Sequence, residues 1–181
     1  IGHYWLAKSR FSHAVHKYLF ATADIFLLVF VILMPAPFDD TFVSPPLILR
    51  GPNFLYFLVL LAGTMLSYSP RLVLWNGAVT IAAWSFGVWW IISLPETITF
   101  LDFANPRPHE ETRRIFLDEN FVFVMGWVQQ IVIYAIFTGI MALVVWRARR
   151  LVETQASIER ERANLSRYFS PNMVDELAAS D

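Results

Sequence analysis

Four long apolar runs dominate this sequence and limit what it can fold into. A helix rises about 1.5 Å per residue, so about 20 residues cross the hydrocarbon core of a bilayer. Charged residues make up only 16% of the chain, against about 25% in soluble domains. The sequence therefore predicts an all-α polytopic membrane protein with four transmembrane helices, embedded in a lipid bilayer. The predicted spans are Tyr18–Met34, Phe54–Tyr68 (which is short), Leu72–Leu94 and Phe121–Trp146.

Net charge and cysteine content exclude several classes of function. The formal net charge is −1, so no nucleic-acid partner is expected. The chain contains no cysteine, which excludes a disulfide framework, a thiolate metal site and a cysteine nucleophile.

The distribution of charge predicts the orientation of the spans. Basic residues flank the spans on one side, whereas the loop between spans three and four carries six acidic residues. Positively charged flanks stay in the cytoplasm. We therefore expect a multi-pass protein of the bacterial inner membrane with both termini in the cytoplasm. The basic flanking residues are Lys8, Arg10, Lys17, Arg71, Arg147, Arg149 and Arg150.

The N-terminal segment, residues 1–17, is either an amphipathic helix on the cytoplasmic membrane surface or a simple basic flank of span one. His13 and His16 are three residues apart, which places both imidazoles on one helical face. Together with His3 or Asp24 they could bind Zn²⁺ or Cu²⁺. Contact with lipid headgroups is the plainer interpretation.

A few polar residues fall inside the predicted spans. Asp24 lies about two turns into span one, and a charged group at that depth should face the bundle and have a partner. Asn76 lies at a similar depth in span three, so Asp24, Asn76 and His16 form a candidate intramembrane cluster. A polar contact between spans, or a protonated Asp24, is the alternative. Gln129 and Gln130 in span four predict a contact across a dimer axis or an ordinary interhelical hydrogen bond.

The loop between spans three and four is long enough to hold structure of its own. The stretch from His109 to Asn120 predicts a short helix, either a ligand-sensing cap or a plain connector. Within span three, Trp84 and Phe86 either line an apolar pocket for a lipophilic ligand or simply pack. A small ligand or an ion, at this loop or within the membrane, is thus a possible partner.

After span four the sequence becomes polar but keeps a helical pattern. Apolar residues recur every seven positions, which is typical of a parallel coiled coil. The second core row is polar, so the predicted coil is marginal and suits a signalling connector, residues 147–169, in a homodimer. A single solvated helix is the alternative. The sevenfold row consists of Val144, Leu151, Ile158 and Leu165.

A second short helix is predicted after this connector, in residues 170–181. Ser170 is a good N-cap and Pro171 suits the first helical position. This junction, RERANLSRYFSPNMVDELA, resembles the segment that precedes the catalytic domain of bacterial class III adenylate and guanylate cyclases. The matching turn into the cyclase core consists of Phe169, Ser170, Pro171 and Val174.

The resemblance implies a dimeric parent protein that makes cyclic AMP from ATP, or cyclic GMP from GTP, with Mg²⁺ or Mn²⁺ in its catalytic domain. The family's catalytic residues would lie beyond Asp181, so no catalytic residue and no cofactor is assigned to this chain. Residues 18–146 would then be its membrane anchor and sensor. The alternatives are the membrane module of another signalling enzyme, such as a histidine kinase, a small transporter or channel, and an inert dimer anchor.

Overall fold

The computed structural model describes the backbone of residues 2–34, 44–100 and 108–165, with side chains from residue 15 to residue 164 of those ranges. The described chain is helical except for turns and one pair of short strands, which confirms the predicted all-α class. Its elements are α1 (Gly2–Leu33), α2 (Pro45–Arg50), a 3-10 turn (Pro52–Leu55), α3 (Tyr56–Met65), α4 (Pro70–Ile92), β1 (Ile98–Thr99), α5 (His109–Leu117), β2 (Phe121–Val122) and α6 (Val124–Leu165).

Three helical stretches are long and apolar enough to cross a membrane: Val15–Leu33 in α1, Pro70–Ile92 in α4 and Val124–Asn164 in α6. The second predicted span is shorter. The 3-10 turn has 4 residues and α3 has 10, which together reach about 23 Å. A typical hydrocarbon core is about 30 Å thick. Helix length alone therefore does not confirm the prediction of four crossings.

The first residues of predicted span four are a strand and not a helix. Phe121 and Val122 form β2, which pairs in parallel with β1 through Ile98↔Phe121 and Thr99↔Val122. The backbone N–H of Ile98 also donates to the carbonyl of Asn120 at 2.9 Å. An apolar run can serve a buried strand as well as a helix, so hydropathy placed the start of the helix three residues too early.

Helices α1 and α4 run in the same direction. Midway along α1 and near the beginning of α4, the Trp75 indole N–H donates to Thr22 Oγ1 at 3.1 Å, and the Tyr18 and Trp75 rings lie 5.8 Å apart. Near their ends, Gly87 packs against Leu33, and a Cβ at Gly87 would collide with that side chain. The end of the bundle that holds Leu33 and Gly87 is called the cap end here, and the opposite end is called the connector end.

Helices α3 and α6 run in the opposite direction to α4. Gly77 of α4 contacts Thr138 of α6, whereas Trp84 contacts Gln130, so residue numbers rise on one helix as they fall on the other. The ring of Phe57 lies 5.5 Å from that of Trp84 near the cap end, and α3 then leads to Pro70 at the connector end. The chain between α1 and α4 therefore returns from the cap end to the connector end through α3.

The core lies where α3, α4 and α6 meet. Phe57, Trp84 and Tyr134 are its largest fully buried side chains, with 0%, 1% and 1% of their surface exposed. Glycine permits the closest helix approach, because a Cβ at Gly77 would overlap the Thr138 side chain. Small residues at interfaces of this kind let helix backbones pack tightly.

Candidate functional site

The cap end is closed by α2, α5 and the β1–β2 pair, which together form what we call the cap. The Ser44 hydroxyl, buried at the start of α2, donates to the carbonyl of Glu119 at 2.7 Å. The Asp118 carboxylate accepts the N–H of Asn120 at 2.9 Å, which fixes the turn between α5 and β2. Acidic residues in the first turn of α5 and Arg114 in its last turn complement the helix dipole. The predicted short helix in this loop is confirmed.

Arg50 joins α2 to β2. Its Nε donates to the carbonyl of Phe121 at 3.2 Å and its Nη2 to the same oxygen at 2.8 Å. Nη2 also donates to the carbonyl of Asp118. The guanidinium carbon lies 5.6 Å from the centre of the Phe121 ring. These acceptors are neutral carbonyl oxygens, so they orient the positive charge of Arg50 without neutralising it.

Aromatic rings pack around Phe121 and complete the cap. Its ring centre lies 4.6 Å from that of Phe100 and 5.6 Å from that of Phe116. Phe116 in turn lies 6.0 Å from Phe123. The Phe100–Phe121 and Phe116–Phe123 pairs are edge-to-face, and such pairs add about 0.5–1.5 kcal/mol each beyond the area that they bury.

A cavity of about 310 Å³ lies beneath the cap, between α4 and the start of α6. Its walls are mainly apolar and aromatic, and Arg50 reaches its rim from α2. A cavity with apolar walls and a few polar groups is the usual form of a small-molecule site. The wall residues that matter below are Trp84, Val88, Phe121, Trp127 and Gln130.

Several side chains that line this cavity carry hydrogen-bond donors. The Trp84 indole N–H donates to Gln130 Oε1 at 3.3 Å. Because an indole can only donate, this bond assigns the orientation of the amide, and the Gln130 NH₂ group is left as a donor for another partner. The Trp127 indole nitrogen is buried and has no hydrogen-bond partner among the described residues. A buried N–H without a partner costs about 1–3 kcal/mol, and such a group calls for an explanation.

Polar contacts continue from the cavity along the α4–α6 interface. The Tyr134 hydroxyl donates to the carbonyl of Phe57 at 3.3 Å and lies 3.4 Å from Thr80 Oγ1. One turn further toward the connector end, Asn76 and Thr138 are buried. Residues spaced by four lie on one face of a helix, so these positions form a single row, which we call the polar ladder. Its residues are Trp84, Thr80 and Asn76 on α4, and Gln130, Tyr134 and Thr138 on α6.

The last level of the ladder is incompletely bonded. Asn76 Oδ1 and Thr138 Oγ1 are both buried and have no hydrogen-bond partner among the described residues. The predicted cluster placed Asp24 and His16 beside Asn76, but both of those side chains are exposed whereas Asn76 is only 2% exposed. An ionised carboxylate could not satisfy Oδ1 in any case, because both are acceptors.

The remaining predicted site residues are distributed as follows. Gln130 bonds within the chain to Trp84, whereas Gln129 is exposed on α6. Among the side chains that the structure describes, no group of three His, Asp or Glu could hold a metal ion. His3 and His13 lie outside that set, so the metal site of His3, His13 and His16 stays a prediction.

Helix α6 is continuous from the cavity to the end of the described chain. Its 42 residues correspond to about 63 Å, roughly twice the thickness of a hydrocarbon core. Of its sevenfold row, Val144, Leu151 and Ile158 are 46%, 66% and 59% exposed on the single chain. The side chain of Leu165 and the turn formed by Phe169, Ser170, Pro171 and Val174 lie outside the described residues, as do residues 170–181 as a whole.

No family model, no curated protein and no solved structure matches this chain. Its class is therefore defined by its own fold and site. It is a helical bundle with three helices suited to a membrane, a capped cavity at one end, and one long helix that extends from that cavity past the opposite end.

Sequence reasoning missed several residues that build this site. Arg50, Trp127, Thr80 and Thr138 were not singled out from the sequence. One signal was available: Gln130, Tyr134 and Thr138 repeat every four residues in one apolar span, and Asn76, Thr80 and Trp84 do so in another. Polar residues spaced by four on two apolar helices predict facing rows.

Proposed function

We propose that this chain is the membrane anchor and sensor of a class III nucleotidyl cyclase, which makes cyclic AMP from ATP in the full protein. In this proposal the bundle dimerises the protein and α6 carries a change at the cap end to the catalytic domains. The observation that carries the proposal is the unbroken α6, which links the capped cavity to a segment outside the bundle.

The polar ladder supports coupling along this path. Its levels hold α6 in one register against α4, through the Trp84–Gln130 bond and the contacts of Tyr134. A helix held by a few directional bonds can move between discrete positions, which is how packed interfaces transmit a signal. The unsatisfied Asn76 and Thr138 atoms mark the level at which a second arrangement would gain a hydrogen bond.

The direction of the helices supports four crossings with both termini in the cytoplasm. Because α1 and α4 run in parallel, the chain between them has to cross back if both helices span the bilayer, and in this proposal α3 makes that crossing. A short apolar helix can span a membrane if the bilayer thins locally or if flanking residues reach the interface. At the connector end a cavity of about 660 Å³ is lined by Arg71, Arg149 and Arg150, and arginine clusters of this kind face the cytoplasm.

Exposed apolar side chains support a homodimer. Beyond Trp146, the exposed large apolar side chains in the described part of α6 are Leu151, Val152 and Ile158. Outside the membrane such side chains gain about 25 cal/mol per Å² when a partner helix covers them. The surface bonds on this segment, such as the Arg149–Glu153 pair at 2.7 Å, add only about 0.3–0.5 kcal/mol each.

The test is cyclase activity of the native-length protein in membranes, with ATP and GTP offered separately and Mg²⁺ or Mn²⁺ supplied. Two insertions between Arg150 and Ile158 then probe the connector. One added residue rotates everything after it by about 100°, whereas seven added residues rotate it by only about 20°. We expect the single insertion to change cyclic nucleotide output at least several-fold and the seven-residue insertion to preserve most of it.

Lack of product from either nucleotide, with folded protein and metal present, would reject the cyclase assignment. Equal cyclic nucleotide output from the two insertion variants would indicate that α6 only connects the bundle to the catalytic domains and transmits no signal. Flux of an ion or small solute through liposomes containing the protein would instead favour a transporter.

A further inference from the structure

We infer that the cavity beneath the cap binds a small carboxylate with an apolar body, with Trp127 Nε1 and Arg50 as the groups that recognise the carboxylate. This inference concerns binding alone. It holds whether or not the protein that contains this chain is a cyclase.

The indole N–H of Trp127 indicates which kind of ligand atom this cavity would bind. Its nitrogen is buried, its ring lines the cavity, and no described residue accepts its hydrogen. An indole N–H can only donate, so a ligand that satisfies it must present an acceptor atom. An aliphatic compound without oxygen or nitrogen would leave this donor unpaired, so the indole N–H would contribute nothing to its binding free energy.

The other polar groups of the cavity point to the same ligand chemistry. The Gln130 amide oxygen is already bonded to Trp84, which leaves the amide NH₂ as a donor. Arg50 adds a positive charge at the rim, and the hydrogen bonds that the structure gives it go to neutral carbonyl oxygens. Three donors, one of them charged, match an anionic group with several lone pairs, and a carboxylate offers about four acceptor positions.

The walls of the cavity indicate the size and the apolar character of the rest of the ligand. Trp84, Val88 and Phe121 face the cavity with rings or branched alkyl groups, so an aromatic ring or a compact alkyl chain would replace water there. A volume of about 310 Å³ falls at the small end of known ligand sites. The cavity thus suits a compact body.

A ligand bound in this cavity would contact both α2 and α6. A carboxylate that bridges Arg50 and Trp127 would join α2 directly to α6. Trp127 is one turn from Gln130, the first α6 residue of the polar ladder. The ligand would therefore bias the position of the helix that leaves the bundle at the connector end.

The test uses three probes with one body: 3-phenylpropionate, 3-phenylpropanol and 3-phenylpropylamine. Isothermal titration calorimetry on the purified chain in lipid nanodiscs, with empty nanodiscs as the reference, separates binding from partition into lipid. We expect the carboxylate to bind at least ten-fold more tightly than the alcohol, and the amine to bind more weakly still.

Two variants test the assigned donor. Trp127→Phe removes the indole N–H and keeps an aromatic ring, and we expect it to weaken carboxylate binding by about ten-fold or more, as for loss of a charge-assisted hydrogen bond. Trp89→Phe is the matched control, because Trp89 is 61% exposed and lies outside the cavity lining. Its binding should equal that of the unmodified chain.

Three results would overturn the inference. These are equal binding of the three probes, no heat above the empty-nanodisc reference at millimolar carboxylate, and a Trp127→Phe variant that binds the carboxylate as tightly as the unmodified chain does. The probe comparison uses the unmodified chain, so it tests the inference even if the Trp127→Phe variant does not fold.

Discussion

Arg50 holds Phe121 from two sides: its Nη2 donates to the Phe121 carbonyl at 2.8 Å, and its guanidinium carbon lies 5.6 Å from the Phe121 ring centre. The two residues are 71 positions apart. One side chain thereby fixes the backbone and the ring of β2 against α2. Both residues line the cavity.

Arg50→Gln should loosen the cap without unfolding the bundle. It removes charge-assisted bonds to the carbonyls of Asp118 and Phe121, which we expect to cost about 1–2 kcal/mol because the side chain is partly solvated. Hydrogen exchange should accelerate at residues 109–122 and stay unchanged in α4. Arg50→Lys, which keeps the charge but loses the planar fork, should give an intermediate rate. Uniform acceleration across the chain would contradict a local role.

Tyr134→Phe should test the middle of the polar ladder. It removes the hydroxyl that contacts the Phe57 carbonyl and Thr80, and loss of one buried hydrogen bond costs about 0.5–1.5 kcal/mol. Tyr56→Phe is the control, because Tyr56 is 57% exposed, and its effect should lie within about 0.5 kcal/mol. Reversible unfolding in detergent micelles measures both free energies. Equal values would show that the hydroxyl at position 134 contributes nothing.

Two glycines of the bundle should respond oppositely to the same substitution. A Cβ at Gly77 would overlap Thr138, whereas a Cβ at Gly63 would meet nothing within 4 Å. We expect Gly77→Ala to destabilise the protein by about 1–3 kcal/mol through overpacking, and Gly63→Ala to be neutral or to stabilise it by up to about 1 kcal/mol. Thermal midpoints in the same micelles report the difference. A stabilising Gly77→Ala would disprove the close approach of α4 and α6.

Single cysteines can decide the number of membrane crossings, because the chain has no native cysteine. Four crossings predict that Lys17→Cys, Ser67→Cys and Ser157→Cys react from the same side of the membrane, and that Glu119→Cys reacts from the other. These four positions are exposed. A membrane-impermeant maleimide applied to intact spheroplasts and to inverted vesicles makes the comparison. Reaction of positions 17 and 67 from opposite sides would mean that α3 does not cross.

The connector seam predicts which positions of α6 meet in a dimer. Leu151→Cys and Ile158→Cys should form intermolecular disulfides under mild oxidation, since paired cysteines need Cα atoms within about 7 Å. Glu153→Cys and Arg160→Cys, each about 200° around the helix from those positions, are the controls and should stay monomeric on non-reducing gels. Equal cross-linking at all four positions would indicate collision and not a defined seam.

The connector row shows what a one-dimensional pattern can and cannot establish. The sevenfold spacing of Val144, Leu151 and Ile158 follows from the sequence, and the structure leaves all three exposed on one long helix. The partner that would cover them belongs to a second chain. The homodimer therefore stays a prediction, as does the resemblance to the class III cyclases.

The candidate site was harder to predict than the fold. Asp24 attracted attention because a charge in an apolar run is costly, yet it is exposed on α1. Arg50 stands between the apolar residues Leu47–Leu49 and a Gly-Pro pair that ends the helix, and it gave no such signal, although it lines the cavity. Hydropathy reports the cost of inserting a residue, but it carries no information about which distant carbonyl that residue meets.

The sequence by itself determined the helical class, the approximate end of α1, the approximate limits of α4, and the short helix α5, because apolar runs and turn residues act locally. Only the tertiary structure decided that α1 and α4 run in parallel, that Phe121 belongs to a strand, and that the Trp127 indole nitrogen is buried with no partner among the described residues. Those features depend on contacts such as Arg50 with Phe121 and Gly77 with Thr138. Such contacts join residues far apart in the chain, and the packing of whole helices determines them.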